Sequence, residues 1–294
     1  MRGKRGGKQR RFRRIGIVAK PSSREALRLA TALERALKRR GLEVTFDVAT
    51  AASLGRSDGL SIERIARQID LVLALGGDGT LLSVARKTPT STPVLGINIG
   101  VLGFLAGLRR DEALVRLDEV LSGEFKEDRR LRLDVTVTTG PHRGTYRALN
   151  DAVLHKEALA RISSFSISFS GKKAAEFRAD GILVATPTGS TAYNLSAGGP
   201  ILHPALPAVV VTPICPHTLT ARPLVVPVST RIGLALTNRR RREGVYLTLD
   251  GQEGFPLERG TIVEVRASAS KATLLKSRES DHFENLAEKL SWGV

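Results

Sequence analysis

Hydrophobic periodicity changes once along this 294-residue chain, near residue 126, and that change does most to limit the possible fold. Before it, short apolar runs alternate with segments of helical spacing. Residues 14–19 (RIGIVA) read as a strand. Ser22 and Glu25 read as a capping box, followed by Ala26, Leu27, Ala30, Leu33 and Leu37 on one helical face, with Gly41 as the stop. Residues 42–48 read as a second strand and 61–68 as a short helix. Residues 69–75 (IDLVLAL) and 93–99 (PVLGINI) read as buried parallel strands. Residues 111–122 are predicted to form one amphipathic helix, with Leu114, Leu117, Val120 and Leu121 inward and Gly123 at its end. This alternation argues for an open, mostly parallel, Rossmann-like α/β sheet.

After residue 126 the period becomes two. Leu131, Leu133, Val135 and Val137 alternate with Arg132, Asp134 and Thr136, and Phe165, Ile167 and Phe169 alternate with serines. Further strands are expected at 147–155, 181–186, 208–212, 224–228, 232–237, 244–249 and 261–267. The last helix, at 281–290, has an apolar face of Phe283, Leu286, Ala287 and Leu290. The expected division is a disordered basic arm at 1–14, an α/β nucleotide-binding domain at 15–125 and a β-rich, sandwich-like domain at 126–275. The segment 276–294 is expected to pack back on the first domain.

Composition narrows the class. With 4% aromatics, aliphatic side chains must build the core. No apolar stretch approaches the roughly 20 residues of a membrane span, and no apolar region follows the charged N-terminus, so neither a span nor a secretory signal is expected. One cysteine, Cys215, fits a reducing cytoplasm. The net charge is +17, and residues 1–14 carry eight Lys/Arg and no acid. That arm reads as a solvated tail or as a non-specific contact for nucleic-acid phosphates. A second basic run, 239–242, reads as an exposed hairpin tip. The remaining excess is dispersed and unaccompanied by a recognition motif, which suits small polyanionic substrates better than nucleic acid.

Three constellations could carry chemistry. In Gly76-Gly77-Asp78-Gly79-Thr80, a glycine-rich turn joins a strand to a helix, where backbone N–H groups attract phosphate. Plain turn geometry is the competing reading, but Asp78 would repel phosphate, so its presence points to proton or metal handling. No G-x-x-x-x-G-K-[ST] loop or G-x-G-x-x-G fingerprint occurs. The second constellation, residues 178–200 (RADGILVATPTGSTAYNLSAGGP), crowds glycines and hydroxyls around the single aromatic Tyr193; it reads as a polar ligand site or as an ordinary loop. The third is Asn150-Asp151, two residues disfavoured in strands, read either as a ligand contact or as an edge or bulge. The five histidines show no zinc-ligand spacing.

Together these motifs closely resemble the bacterial NAD kinases. The resemblance runs over residues 15–294, through GGDGT at 76–80, LGIN at 95–98, GFL at 103–105, Asn150-Asp151, 180–200, TPICPHTL at 212–219, DGQ at 250–252 and Phe283 to Trp292-Gly293. The glycine turn alone is shared with diacylglycerol, sphingosine and phosphofructo-kinases; the TPTGSTAYNLSAGGP block is far more selective. The resemblance implies transfer of the ATP γ-phosphoryl to the 2′-hydroxyl of the adenosine ribose of NAD, giving NADP. By that likeness Asp78 is the general base, and Gly76, Gly77, Gly79 and Thr80 hold ATP phosphates. Asp78, Gly79, Asn150, Asp151, Arg161, Arg178, Asp180, Thr191, Ala192, Tyr193, Asn194, Leu195, Ser196 and Gln252 bind NAD. Phe104 stacks on a ring or belongs to the core. Many members carry Asn-Glu where this chain has Asn150-Asp151, which shortens the acid's reach by one methylene. Mg²⁺ or another divalent cation, ATP or polyphosphate as donor, a site between the two domains, and assembly into homodimers or homotetramers are further implications.

Overall fold

The structure is a computed structural model that describes residues 12–100, 103–156, 163–237, 245–258, 260–279 and 281–292. The chain divides into two compact units. One comprises the described residues up to Arg129 together with those from Thr273 onward; the other is Arg130–Ala272.

The first unit starts with β1 (Arg14–Ala19), α1 (Arg24–Arg39), β2 (Glu43–Phe46), α2 (Val48–Ser53), α3 (Ile62–Gln68) and β3 (Leu71–Gly76). It continues with α4 (Asp78–Lys87), β4 (Val94–Asn98), β5 (Leu108–Arg109), α5 (Glu112–Val115), α6 (Leu117–Ser122) and β6 (Lys126–Arg130). Strand order in its sheet is β2-β1-β3-β4, then β19 (Ala272–Lys276) and β6, with β5 beside β4. The β2-β1-β3-β4 pairs are all parallel, so the C-terminal ends of β1, β3 and β4 share one edge. Strand β3 is buried throughout, which accounts for its unbroken apolar run.

Local chemistry sets the helix ends. Helix α1 is capped by Ser23, whose Oγ accepts the Ala26 N–H at 3.2 Å, one residue later than the Ser22–Glu25 box predicts. Its other end is a Schellman turn: Gly41, at φ +74°, donates to Lys38 O and Leu42 donates to Leu37 O. The second strand stops at Phe46 because Asp47 caps α2, accepting the N–H groups of Ala49 and Thr50. The single helix expected over 111–122 is two short ones, broken at Arg116. Ala113, Leu117 and Val120 are buried while Leu114 is 43% exposed, so the stripe turns at the break. At the C-terminus α8 (His282–Leu290) belongs to this unit, but only Leu286 of its expected apolar face is buried, and Phe283 is 65% exposed.

Of the basic arm, residues 1–11 lie outside the described residues, as does the 239–242 run. Residues 12–14 are part of the fold: Phe12 is buried in the core, and the N–H groups of Arg13 and Arg14 both donate to Asp70 Oδ2 at 2.9 Å.

The second unit holds β7 (Leu133–Val137), β8 (Gly144–Ala148), β9 (Asp151–Lys156), β10 (Ser163–Phe169), β11 (Lys172–Ala179) and β12 (Gly181–Ala185). Then follow α7 (Tyr193–Ser196), β13 (Ala208–Ile214), β14 (Leu224–Pro227), β15 (Ile232–Leu236), β16 (Val245–Leu249), β17 (Glu253–Leu257) and β18 (Ile262–Ala267). Two antiparallel sheets, β11-β10-β15-β18-β7-β8 and β14-β13-β12-β9-β16-β17, share one aliphatic core. In β7 and β10 the alternating residues point alternately into that core and out. Strands β9, β12 and β13 are apolar on both faces, because Val153, Leu183 and Val210 pack into a second cluster with Leu202 and Ile214. The 147–155 strand is broken at Leu149-Asn150, where β8 ends and β9 begins.

Candidate active site

The glycine turn sits where β3 meets α4. Gly76 ends the strand, and a β-carbon there would lie 2.3 Å from Thr80 Oγ1, so crowding demands glycine. Gly77 caps the helix with its carbonyl, accepting N–H groups from Thr80 (3.0 Å) and Leu81 (3.3 Å). Nothing lies within 4 Å of where its β-carbon would be, so the bare glycine leaves the helix N-terminus open to approach. A pocket of about 450 Å³ borders Gly77, Gly79, Thr80, Lys20 and Ser83. Lys20, exposed and just past β1, was not singled out from sequence; its place at the C-terminal edge of parallel strands is the signal that could have found it.

Asp78 is the first residue of α4 and its side chain is half-buried. Its carboxylate accepts the Phe104 N–H at Oδ2 (2.9 Å) and the Leu105 N–H at Oδ1 (3.2 Å). From the other side, the buried Lys276 ammonium donates to the carbonyls of Phe104 (3.0 Å) and Ala106 (2.9 Å). The 103–106 loop is thus clamped between an anion on its amides and a cation on its carbonyls. Gly103 and Gly107 permit the close approach: a β-carbon on Gly107 would lie 2.3 Å from Leu275 O. Phe104 is half-buried and outside the core cluster, whereas Leu105 is buried.

In the β-rich unit the hydroxyl-rich block folds back on Asn150-Asp151. The Thr186 N–H donates to Asn150 O (2.8 Å) and its hydroxyl to Leu149 O (2.6 Å). Gly189 lies so close that a β-carbon would be 2.2 Å from Asn150 O. Asp250, at the β16–β17 turn with φ +53°, accepts N–H groups from Leu149, Asn150 and Asp151. Asn150 Oδ1 is buried without a hydrogen-bond partner. The Asp151 carboxyl, 4% exposed, is pushed up to about 7 by burial and then by the charge of Asp250.

These groups open on a cavity of about 580 Å³, whose wall includes Asn150, Asp151, Asp180, Ala192, Tyr193 and Cys215. Tyr193 is 47% exposed there, and its hydroxyl is pushed up by burial and by Cys215, Asp151 and Asp180. Asp180 pairs with Lys156 at 3.3 Å. Other expected contacts stand apart. Arg178 borders a separate cavity with Glu176, His217 and Arg222. Gln252 and Ser196 are exposed, and Thr191 and Leu195 are half-buried. Arg161 lies outside the described residues. Asn194 is fully buried: it donates to Ser190 O (3.2 Å) and Pro200 O (3.0 Å) and accepts from the Thr212 hydroxyl (2.6 Å). It braces the loop from within. Lys276 carries no sequence signal of its own, and the bracing roles of Asp250 and Thr186 do not show in the motifs that contain them, because their partners are backbone groups from 37 to 172 positions away.

Comparison with known proteins gives the family. Residues 15–125 match the ATP-NAD kinase N-terminal domain and residues 149–277 the ATP-NAD kinase C-terminal domain. The chain is 44% identical to the NAD kinase of Syntrophotalea carbinolica, over 96% of this chain and 99% of that protein. It is 43% identical to that of Geobacter sulfurreducens with the same coverage. Among solved structures, yeast NADH kinase complexed with NADH superimposes with a TM-score of 0.86 at 28% identity, covering 97% of this chain and 89% of that one. An Archaeoglobus fulgidus NAD kinase in complex with ATP gives 0.75 at 25% identity, covering 95% and 98%. The chain belongs to the ATP-NAD kinase family.

Proposed function

We infer that the protein transfers the γ-phosphoryl of ATP to the 2′-hydroxyl of the adenosine ribose of NAD, forming NADP and ADP, with Asp78 as general base. The observation that carries the assignment of Asp78 is its anchoring. Two backbone amides fix the carboxylate, one on each oxygen, and a carboxylate has about four acceptor directions, so each oxygen keeps capacity for a further proton donor. A sugar hydroxyl is a poor nucleophile until its proton leaves. As its oxygen bonds to phosphorus and the bond to the ADP oxygen breaks, Asp78 takes that proton.

The acceptor cavity supports NAD as the substrate. The Asn150 amide oxygen is buried without a partner, a state costing roughly 1–3 kcal/mol that a donor on the adenosine end would relieve. Ionised Asp151 accepts from ribose hydroxyls, and the exposed face of Tyr193 offers a surface for a ring. Asp180 and Ala192, on the same wall, are further proposed NAD contacts; Gly79, Thr191, Leu195, Ser196 and Gln252, and Arg161 and Arg178 for phosphate, are proposed on family likeness alone. Gly76, Gly77, Gly79 and Thr80 are assigned to ATP phosphates.

No cluster of three His, Cys, Asp or Glu side chains occurs among the described residues. The proposed divalent cation is Mg²⁺, which keeps several waters and is carried largely by nucleotide phosphates. When bound it would offset phosphate charge. No helix among the described residues is long and apolar enough to cross a membrane. On family likeness and the single cysteine we assign the protein to the cytoplasm as a homodimer or homotetramer.

The test is direct. Full-length protein with ATP, Mg²⁺ and NAD should yield NADP by mass; folded protein giving none refutes the activity. Asp78→Asn should lose roughly 10²–10⁴ in kcat with a milder change in KM for NAD. An unchanged kcat removes Asp78 from its role.

A further inference from the structure

Asp250 is a tightly held acid of the β-rich unit. It is 9% exposed and holds φ +53°, a left-handed conformation that strains a residue with a side chain. Its Oδ1 accepts the N–H groups of Leu149 (3.0 Å), Asn150 (2.7 Å) and Asp151 (3.1 Å), and Oδ2 also meets Leu149 (3.1 Å). Its own N–H donates to Asp151 O at 3.0 Å. Three successive amides converging on one carboxylate make a backbone nest, here closed by the protein's own anion. Thr186 holds the carbonyls of residues 149 and 150 from the opposite side. The turn that carries Asn150 and Asp151 therefore has a single arrangement, and Asp250 supplies most of it.

We propose that Asp250 is a positioning residue for the dinucleotide acceptor, fixing the 149–151 backbone so that the Asn150 amide oxygen and the Asp151 carboxyl are presented together in the cavity. The proposal rests on the reading that this cavity takes NAD. A second effect follows from charge. Asp250 lies close enough to oppose ionisation of Asp151, adding to the effect of burial. The other titratable groups on the cavity wall are His155, Lys156, Asp180, Tyr193 and Cys215, with Lys156 engaged by Asp180. The strands flanking β9 add only Tyr246, since β12 is Gly-Ile-Leu-Val-Ala.

The experiment measures kcat/KM for NAD and KM for ATP from pH 5.5 to 9. In the wild type, kcat/KM for NAD rises as Asp151 ionises near pH 7. Asp250→Asn is expected to raise KM for NAD about tenfold or more, the worth of one charge-assisted hydrogen bond, while KM for ATP changes less than about twofold. Its inflection in kcat/KM moves toward acid. Asp250→Glu keeps the charge but misplaces the carboxylate, so KM for NAD rises while the inflection stays near its wild-type position. A purely structural role would raise both KM values together or leave the inflection unmoved in Asp250→Asn; either result overturns the proposal. Should the variants not fold, amide hydrogen exchange of the wild type decides: slow exchange at the Leu149, Asn150 and Asp151 amides supports a backbone fixed by Asp250, and fast exchange at these three amides refutes it. Failure of the wild type to make NADP at all would instead overturn the functional reading and is recognised separately.

Discussion

A β-carbon on Gly103 would lie 2.2 Å from Asp78 Oδ1. The space that the carboxylate occupies is therefore space that residue 103 leaves free, and the helix residue and the loop residue are matched to each other. Gly103→Ala is expected to push Asp78 off its two amide donors. We expect kcat to fall at least tenfold, toward the roughly 10²–10⁴ of losing a base outright, with little change in KM for NAD. Steady-state kinetics on variant that retains its circular dichroism spectrum checks this. Wild-type kcat would mean that the anchoring of Asp78 does not matter to turnover.

Lys276 holds the same loop from the other side and is only 5% exposed. Replacing it by methionine leaves two carbonyls without their donor. A loss of roughly 1.5–3 kcal/mol in unfolding free energy by urea titration is expected, with a fall in kcat as the loop loosens. Lys276→Arg should recover part of both. Full stability in the methionine variant would show the clamp to be dispensable.

The Asp151 carboxyl, normally near 3.8, is held at about 7 in the folded protein. The native state therefore binds this proton more tightly than the unfolded state. Below about pH 4 both states are protonated and the group costs nothing. Between about pH 4 and 7 the unfolded state ionises first, so stability falls as pH rises, and above 7 the penalty is constant. Asp151→Asn is expected to exceed the wild type in stability at pH 8 by up to about 4 kcal/mol, converging with it near pH 4. The same change should weaken NAD binding, a trade of function for stability. Parallel denaturation curves at both pH values test the sign.

Asn194 is expected to behave as a brace. Asn194→Ala strands the Thr212 hydroxyl and the carbonyls of Ser190 and Pro200 in a buried setting. A loss of at least about 2 kcal/mol in stability should accompany any rise in KM for NAD. A raised KM with unaltered stability would instead make Asn194 a ligand contact.

Much of this was legible in the sequence where the signal was local. Periodicity located β1, β3, β4, α3 and the β-sandwich strands, because each buries a face that its own residues define. The 111–122 stripe misled because Arg116 ends one turn and starts the next, which the spacing of leucines does not record. Strands β11 and β17 escaped notice because most of their residues are exposed and lack an alternating apolar signal. The glycine turn, Asn150-Asp151 and Tyr193 announced themselves by residue type. The groups that aim them did not: Asp250 accepts from backbone amides and Lys276 donates to backbone carbonyls far away in sequence, and such a bond leaves no trace in the identity of the residue that supplies the backbone group.

Strand β19 completes the parallel sheet beside β4 only after the whole β-sandwich has been made. A nascent chain leaving the ribosome must therefore keep the flank of β4 waiting through more than half of synthesis. The ammonium that steadies the loop around Asp78 arrives with that same late strand. Premature termination after β5 and before β19 would then yield a polypeptide with the full glycine turn, yet without the β19 partner of β4 and with its acid poorly anchored.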